Sequence, residues 1–203
     1  MTCSRIEILQ LKLLDPDEKV RAAVCKVYSQ LDYETALHSV SEAQLRAVAG
    51  RGMDKKHAVR VEAMNALGRL YSLAYPEMYV PVCRDYCHPN LIRLFISSEN
   101  GHSSAARHFA WIPNEILHIS NMTSEAKAAA EQVIADYVLP LPSSSTSSAS
   151  TSKNAEVDEV AWTDHLLNTM RHLDDLGVNT ILSMSGIKAK YVDRFSHHGQ
   201  RRS

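Results

Sequence analysis

Apolar and polar positions follow a helical rhythm as far as Tyr75, and the rhythm comes round twice. Asp15-Pro-Asp-Glu-Lys-Val-Arg-Ala-Ala-Val24 returns as Asp54-Lys-Lys-His-Ala-Val-Arg-Val-Glu-Ala63. Asp15 maps to Asp54, Val20 to Val59 and Arg21 to Arg60, a constant offset of 39 residues. Downstream, Val24, Val27, Tyr28 and Leu31 match Ala63, Ala66, Leu67 and Leu70. A helical period near 40 residues is the signature of HEAT and armadillo arrays, in which each unit buries its apolar stripe by stacking on the next. The pattern predicts an all-α chain, a fragment of a HEAT/armadillo-like helical repeat (an α-solenoid). Two unrelated amphipathic helices that each begin with Asp are the simpler alternative.

The repeated residues also carry local roles. Asp15 and Asp54 stand where a turn enters a helix, with a carboxylate near the first free N–H groups. Arg21 and Arg60, six residues later, are placed to reach back to the aspartate of a neighbouring turn. Asp15, Arg21, Asp54 and Arg60 are therefore expected to form a structural ladder on one side of the stack. Between the copies, Tyr33 to Val40 predicts a short helix. Ser41-Glu-Ala-Gln44 has capping-box spacing, and Leu45, Val48 and Ala49 follow on one face until Gly50 and Gly52 stop the helix. Asp54 to Tyr75 is the best-marked helix, ended by Pro76.

Periodicity then lapses. Pro81, Pro89 and Asn100-Gly101 punctuate a stretch without a steady period, so residues 76–107 are expected to be a disordered insertion within a HEAT-repeat segment spanning 1–141. Pro113 suits the first turn of a helix, and Thr123 or Ser124 caps a run from Glu125 to Val138. Residues 142–155 read as a Ser/Thr-rich flexible linker. A further helical segment is expected over 156–192, with Gly177 ending its first helix, before a flexible tail over 193–203.

Composition narrows the chemistry. The 203 residues carry a net charge of −1, which leaves no overall field to draw nucleic acid. Cys3, Cys25, Cys83 and Cys87 lack framework spacing, and a reduced, intracellular location is expected. No apolar stretch is long enough to cross a bilayer. Cys83, Cys87 and His88 have metal-ligand chemistry, but no second pair stands at recognisable spacing, and ordinary thiols in a loop are the alternative. No phosphate loop, nucleophile elbow or His-Glu-x-x-His pattern occurs, so neither an enzyme nor a cofactor is expected. What remains is a basic turn, Arg51, Lys55 and Lys56 with His57, a candidate contact for acidic protein, phosphate or nucleic acid. A merely solvated loop is the alternative.

A resemblance sharpens this picture. Leu14-Asp-Pro-Asp-Glu-Lys-Val-Arg-Ala-Ala-Val24, Asp54-Lys-Lys-His-Ala-Val-Arg-Val-Glu-Ala63, Leu67-Gly-Arg-Leu-Tyr71 and Phe109-Ala-Trp-Ile-Pro-Asn-Glu-Ile-Leu117 resemble the cohesin regulators called precocious dissociation of sisters proteins, in a fungal-like form. The resemblance covers residues 9–76 and 107–141, then more weakly 156–192. It implies a non-catalytic, nuclear HEAT-repeat scaffold that regulates sister chromatid cohesion. The implied partners are the cohesin kleisin subunit, the cohesin release factor and the cohesin acetyltransferase. Some animal members bind a highly phosphorylated inositol, and no residue here is assigned to it. Family members are several times longer, which implies an internal fragment of two or three repeats. Met78 to Ser104 and the tail after Tyr191 lie outside the recognised pattern. A generic HEAT or armadillo adaptor unrelated to cohesin is the competing function.

Overall fold

The structure, a computed structural model, describes residues 5–78, 104–140 and 153–184. Among them every regular element is helical, and the all-α expectation holds. Helix α1 spans Arg5–Lys12, and α2 spans Glu18–Ser29 with Asp17 capping through the N–H of Lys19. Asp32 caps α3 (Tyr33–Ser39). The Ser41–Gln44 capping box opens α4 (Glu42–Gly50), which runs into a 3₁₀ turn, Arg51–Met53. The long α5 (His57–Met78) follows. After it come α6 (Ser104–Phe109) and α7 (Ile112–Ser120), the latter with Pro113 in its first turn. Thr123 caps α8 (Ser124–Val133), which continues as a π-helical turn, Ile134–Val138. Helix α9 spans Lys153–Met170, and Asp174 caps α10 (Asp175–Ser183).

The helices form two layers. In one, α2, α5 and α8 lie side by side and parallel. Arg21, early in α2, reaches Asp54 ahead of α5, while Arg69 farther along α5 donates to the carbonyls of Ser29 and Leu31 at the end of α2. The Ser29 carbonyl is among the groups a helix terminus leaves unpaired, and a cation there also meets the negative end of the dipole. Gly68 lets α8 come close: a Cβ there would lie 2.4 Å from Val133 Cγ1. The second layer holds α4, α7 and α10. A Cβ on Gly52 would lie 2.6 Å from Ile119 Cδ1, and Arg46 stacks 4.2 Å over the Trp111 ring. Asn114 Nδ2 and His118 Nε2 meet the Asp174 carboxylate, and Asn121 Nδ2 donates to Thr180 Oγ1, which seats α10 on α7.

Burial separates the two copies of the repeat. Ala63, Ala66, Leu67 and Leu70 on α5 are all enclosed, because α5 has a neighbour on each side. On α2, Val24 and Tyr28 are buried but Val27 is 38% exposed. Cys25 is fully enclosed on α2, and burial pushes its thiol up to about 12. Helix α9 runs antiparallel to the end of α5, where Tyr71 Oη lies 3.1 Å from Thr169 Oγ1 and the Tyr75 ring stacks on His165.

Some boundaries differ from the expectation. Pro76 lies inside α5 and does not end it. Being in the last turn, it forfeits one backbone bond, while Ala74 and Met78 on either side are buried. Gly177 sits inside α10, where a side chain would meet Asn114 Oδ1 at 2.4 Å. The helix it was expected to end stops earlier, at Met170. The ends of the expected 76–107 insertion are also helical: Pro76 to Met78 belong to α5 and Ser104 to Arg107 to α6, with Ala105 and Ala106 buried. Residues 153–155 of the expected linker lie in α9. The rest of the insertion, with Cys83, Cys87 and His88, most of the linker and the 193–203 tail lie outside the described residues.

Candidate functional site

The turns that open α2 and α5 share a bonding scheme. Asp15 Oδ1 accepts the N–H of Asp17 at 3.1 Å, and Asp54 Oδ1 accepts that of Lys56 at 3.0 Å. In each case a short side-chain acceptor closes the turn two residues on. Arg21 Nη1 donates to the carbonyls of Asp15 and Pro16, and Arg60 Nη1 to those of Asp54 and Lys55. The arginine thereby clamps its own turn.

The remaining guanidinium arms reach the next repeat. Arg21 makes a two-pronged pair with Asp54, Nε to Oδ2 at 2.8 Å and Nη2 to Oδ1 at 2.9 Å. The Arg21 guanidinium holds the Asp54 carboxyl below its ordinary value, and Asp54 in turn raises Arg21. Arg60 Nη2 pairs with Glu125 in the first turn of α8. Each arginine thus bonds forward to the following repeat, whereas the spacing suggested a backward reach. Side-chain direction at the start of a helix cannot be read without knowing which side the neighbour occupies.

The basic turn divides. Arg51 is directed inward, with Nη1 at 3.4 Å from the carbonyl of Leu13 and 3.5 Å from Asp54, and its side chain is 26% exposed. It belongs to the ladder more than to an outer surface, because Asp54 three residues on draws it in. Lys55 and Lys56 are exposed, with Lys56 Nζ 3.8 Å from Glu18, and His57 faces Glu125 at the same distance. Leu14, Asp15, Pro16, Arg21, Arg51, Met53, Asp54 and Lys55 line a hollow of about 400 Å³ between the two turns.

Several participants escaped the sequence reading. Lys12 is 3.0 Å from Asp15, and the 39-residue offset that maps it to Arg51 was the available signal. Glu125 stands at no regular spacing, since the long stretch after α5 breaks the count. The Asp174 clasp was also missed; its carboxyl is lowered to about 2, first by the N–H of Gly177 and then by His118 and Asn114. Among the described residues no group of three or more His, Cys, Asp or Glu side chains is arranged to hold a metal ion. The arrangement suits contact and stacking, with no nucleophile–base pair among its members.

Comparison with known proteins gives the lineage. The sister chromatid cohesion protein pds5 of Schizosaccharomyces pombe is 31% identical over 142 residues, covering 70% of this chain and 10% of that protein. The human and mouse sister chromatid cohesion proteins PDS5 homolog A are each 29% identical over 136 residues, covering 66% of this chain and 8% of theirs. The chain therefore spans about a tenth of the length of the curated relatives it matches. A solved structure described as "Structure of the Pds5-Scc1 complex and implications for cohesin function" superposes with a TM-score of 0.60. It covers 90% of this chain and 23% of that one at 14% identity, a likeness of fold. The family model described as "Sister chromatid cohesion protein PDS5 protein" matches residues 3–201, past Tyr191 where the recognised motifs end. With its ladder of stacked helix pairs, the chain belongs to the PDS5 family of sister chromatid cohesion proteins.

Proposed function

We propose that this chain is part of a non-catalytic scaffold that regulates sister chromatid cohesion by binding cohesin subunits and their regulators in the nucleus. The observation that carries the reading is the family match over residues 3–201. A repeat stack with clamped turns supports it physically, since such a stack offers long, preorganised contact faces and needs no catalytic group. The kleisin subunit is the first partner, by analogy with the Pds5-Scc1 complex of the structural neighbour. The cohesin release factor and the cohesin acetyltransferase are further partners implied by the family resemblance. Within this segment Lys55 and Lys56, exposed on the ridge of turns, are the contact residues, and Arg51 supports them from beneath.

Purification of the tagged full-length gene product from nuclear extract, followed by cross-link mapping, tests this. Cohesin subunits should co-purify, with cross-links at Lys55 and Lys56. Replacing both lysines with Glu should reduce the recovered cohesin several-fold while the melting temperature stays unchanged. Recovery of transport or trafficking proteins in place of cohesin overturns the reading.

A further inference from the structure

The hollow between the turns that open α2 and α5 has charges that do not cancel. Arg21, Arg51 and Lys55 line it against Asp15 and Asp54, three cations to two acids, which leaves one positive charge in surplus. The acids are already served. Asp54 takes both arms of Arg21 and the N–H of Lys56, and Asp15 takes Lys12 and the N–H of Asp17. The cations are left short. Arg51 reaches the Leu13 carbonyl and Asp54 only at 3.4 and 3.5 Å, and its Nε is buried without a partner. Its guanidinium makes no other hydrogen bond among the described residues. Lys55 is exposed and pairs with no acid among the described residues, whereas Lys56 beside it has Glu18 at 3.8 Å. A buried guanidinium nitrogen left unbonded is costly, and a carboxylate is the acceptor that suits its forked geometry.

The rim of the same hollow is apolar. Leu14, from the turn before α2, and Met53, from the turn before α5, are 72% and 48% exposed, with Pro16 exposed beside them. The volume of about 400 Å³ is at the small end of the ligand-pocket range of about 300–1,000 Å³. It admits one large apolar side chain with a neighbouring carboxylate. A polyphosphate suits it poorly. Its repeated charges would meet Asp15 and Asp54 with one surplus cation between them, and it has nothing to lay on Leu14 or Met53.

We propose that the hollow is a docking site for a short acidic segment of a protein partner, in which Asp or Glu stands beside a large aliphatic or aromatic side chain. The carboxylate takes Arg51 and Lys55, and the apolar side chain lies on Leu14 and Met53. This rests on the reading of the chain as a scaffold and gives its basic turn one chemical class of ligand. Because the lining comes from two repeats, the site exists only while α2 and α5 are stacked, and an occupant stabilises that stacking.

Panning a random-peptide phage library on the full chain tests this. Recovered peptides should carry Asp or Glu next to Phe, Leu, Met or Trp. The most enriched of them, made with a fluorescent label, should bind about tenfold more weakly after Lys55→Glu and after Met53→Ser. Lys26→Glu, the same change of charge in the last turn of α2, should leave binding within about twofold. All three variants should melt as the parent does. Enrichment of basic or purely polar peptides, no enrichment, or equal weakening by Lys26→Glu and Lys55→Glu overturns the proposal. So does an acidic–apolar peptide indifferent to Met53→Ser. A single-stranded oligonucleotide bound through Lys55 irrespective of Met53 would make nucleic acid the occupant, and self-association abolished by Met53→Ser would make it a second copy; either overturns the proposal. Cohesin co-purification is read separately. Cohesin recovered without such peptides removes this site and leaves the scaffold reading standing, and the peptides without cohesin do the reverse.

Discussion

The rung joining α2 to α5 and the rung joining α5 to α8 begin from the same arginine geometry and end on different acids. Arg21 and Arg60 are equally sheltered, with side chains 13% and 14% exposed. Asp54 is short, 4% exposed at its side chain and pinned by the N–H of Lys56, so both its oxygens face Arg21. Glu125 is long, 65% exposed, and takes one arm, while Arg60 Nε is buried without a partner among the described residues. Screening by water and the cost of ordering a long side chain make the second rung weaker. Cohesion along the stack is thus uneven, strongest between α2 and α5.

Breaking the strong rung should have the largest effect. Asp54→Ala removes the acceptor of Arg21 and a turn closure together, and is expected to lower stability by about 3 kcal/mol in denaturant unfolding. Crowding the second interface comes next. Gly68→Ala sets a methyl against Val133 and should cost about 2 kcal/mol, most of it recovered by adding Val133→Ala.

Acid should separate the Arg21–Asp54 rung from the α9 contact. Burial beside Tyr75 lowers His165 to about 4, so the folded state disfavours its charged form. The unfolded chain binds a proton near the ordinary value of 6.5, so stability falls as pH drops from about 6.5 to 4. The loss is on the order of 2 kcal/mol, allowing for partial exposure. His165→Phe should flatten that part of the melting profile. Asp54, held below 3.8, keeps its rung in this window and loses it only at lower pH. The smallest effect belongs to Glu125→Gln, expected at or below about 0.5 kcal/mol and vanishing in high salt.

Local signals explain which features were legible. Ser41 and Gln44, or Thr123 before α8, act through bonds spanning three residues, so their roles stand in the sequence. The repeat was visible because its two copies are separated by a constant step. Glycine and proline misled where a neighbour decided the outcome. Gly177 looks like a stop, yet Asn114 from another helix requires its missing side chain. Pro76 looks like a break, yet it stands where a helix has one bond left to lose. Of the candidate contact residues, Arg51 turns inward to Asp54, an acid it shares with the distant Arg21, and that pairing is not legible from local spacing. Lys55 and Lys56 are exposed, with only Glu18 within ion-pair reach of Lys56.

The enclosed thiol of Cys25 turns the α2–α5 seam into something that can be timed. With burial holding its proton up to about 12, the thiol stays protonated at neutral pH while the helices are stacked. An alkylating reagent must then wait for the seam to part, and its labelling rate at Cys25 becomes a clock for that event. Slower ticking in a longer array, or in the presence of a bound partner, would register how far a contact made elsewhere tightens this joint.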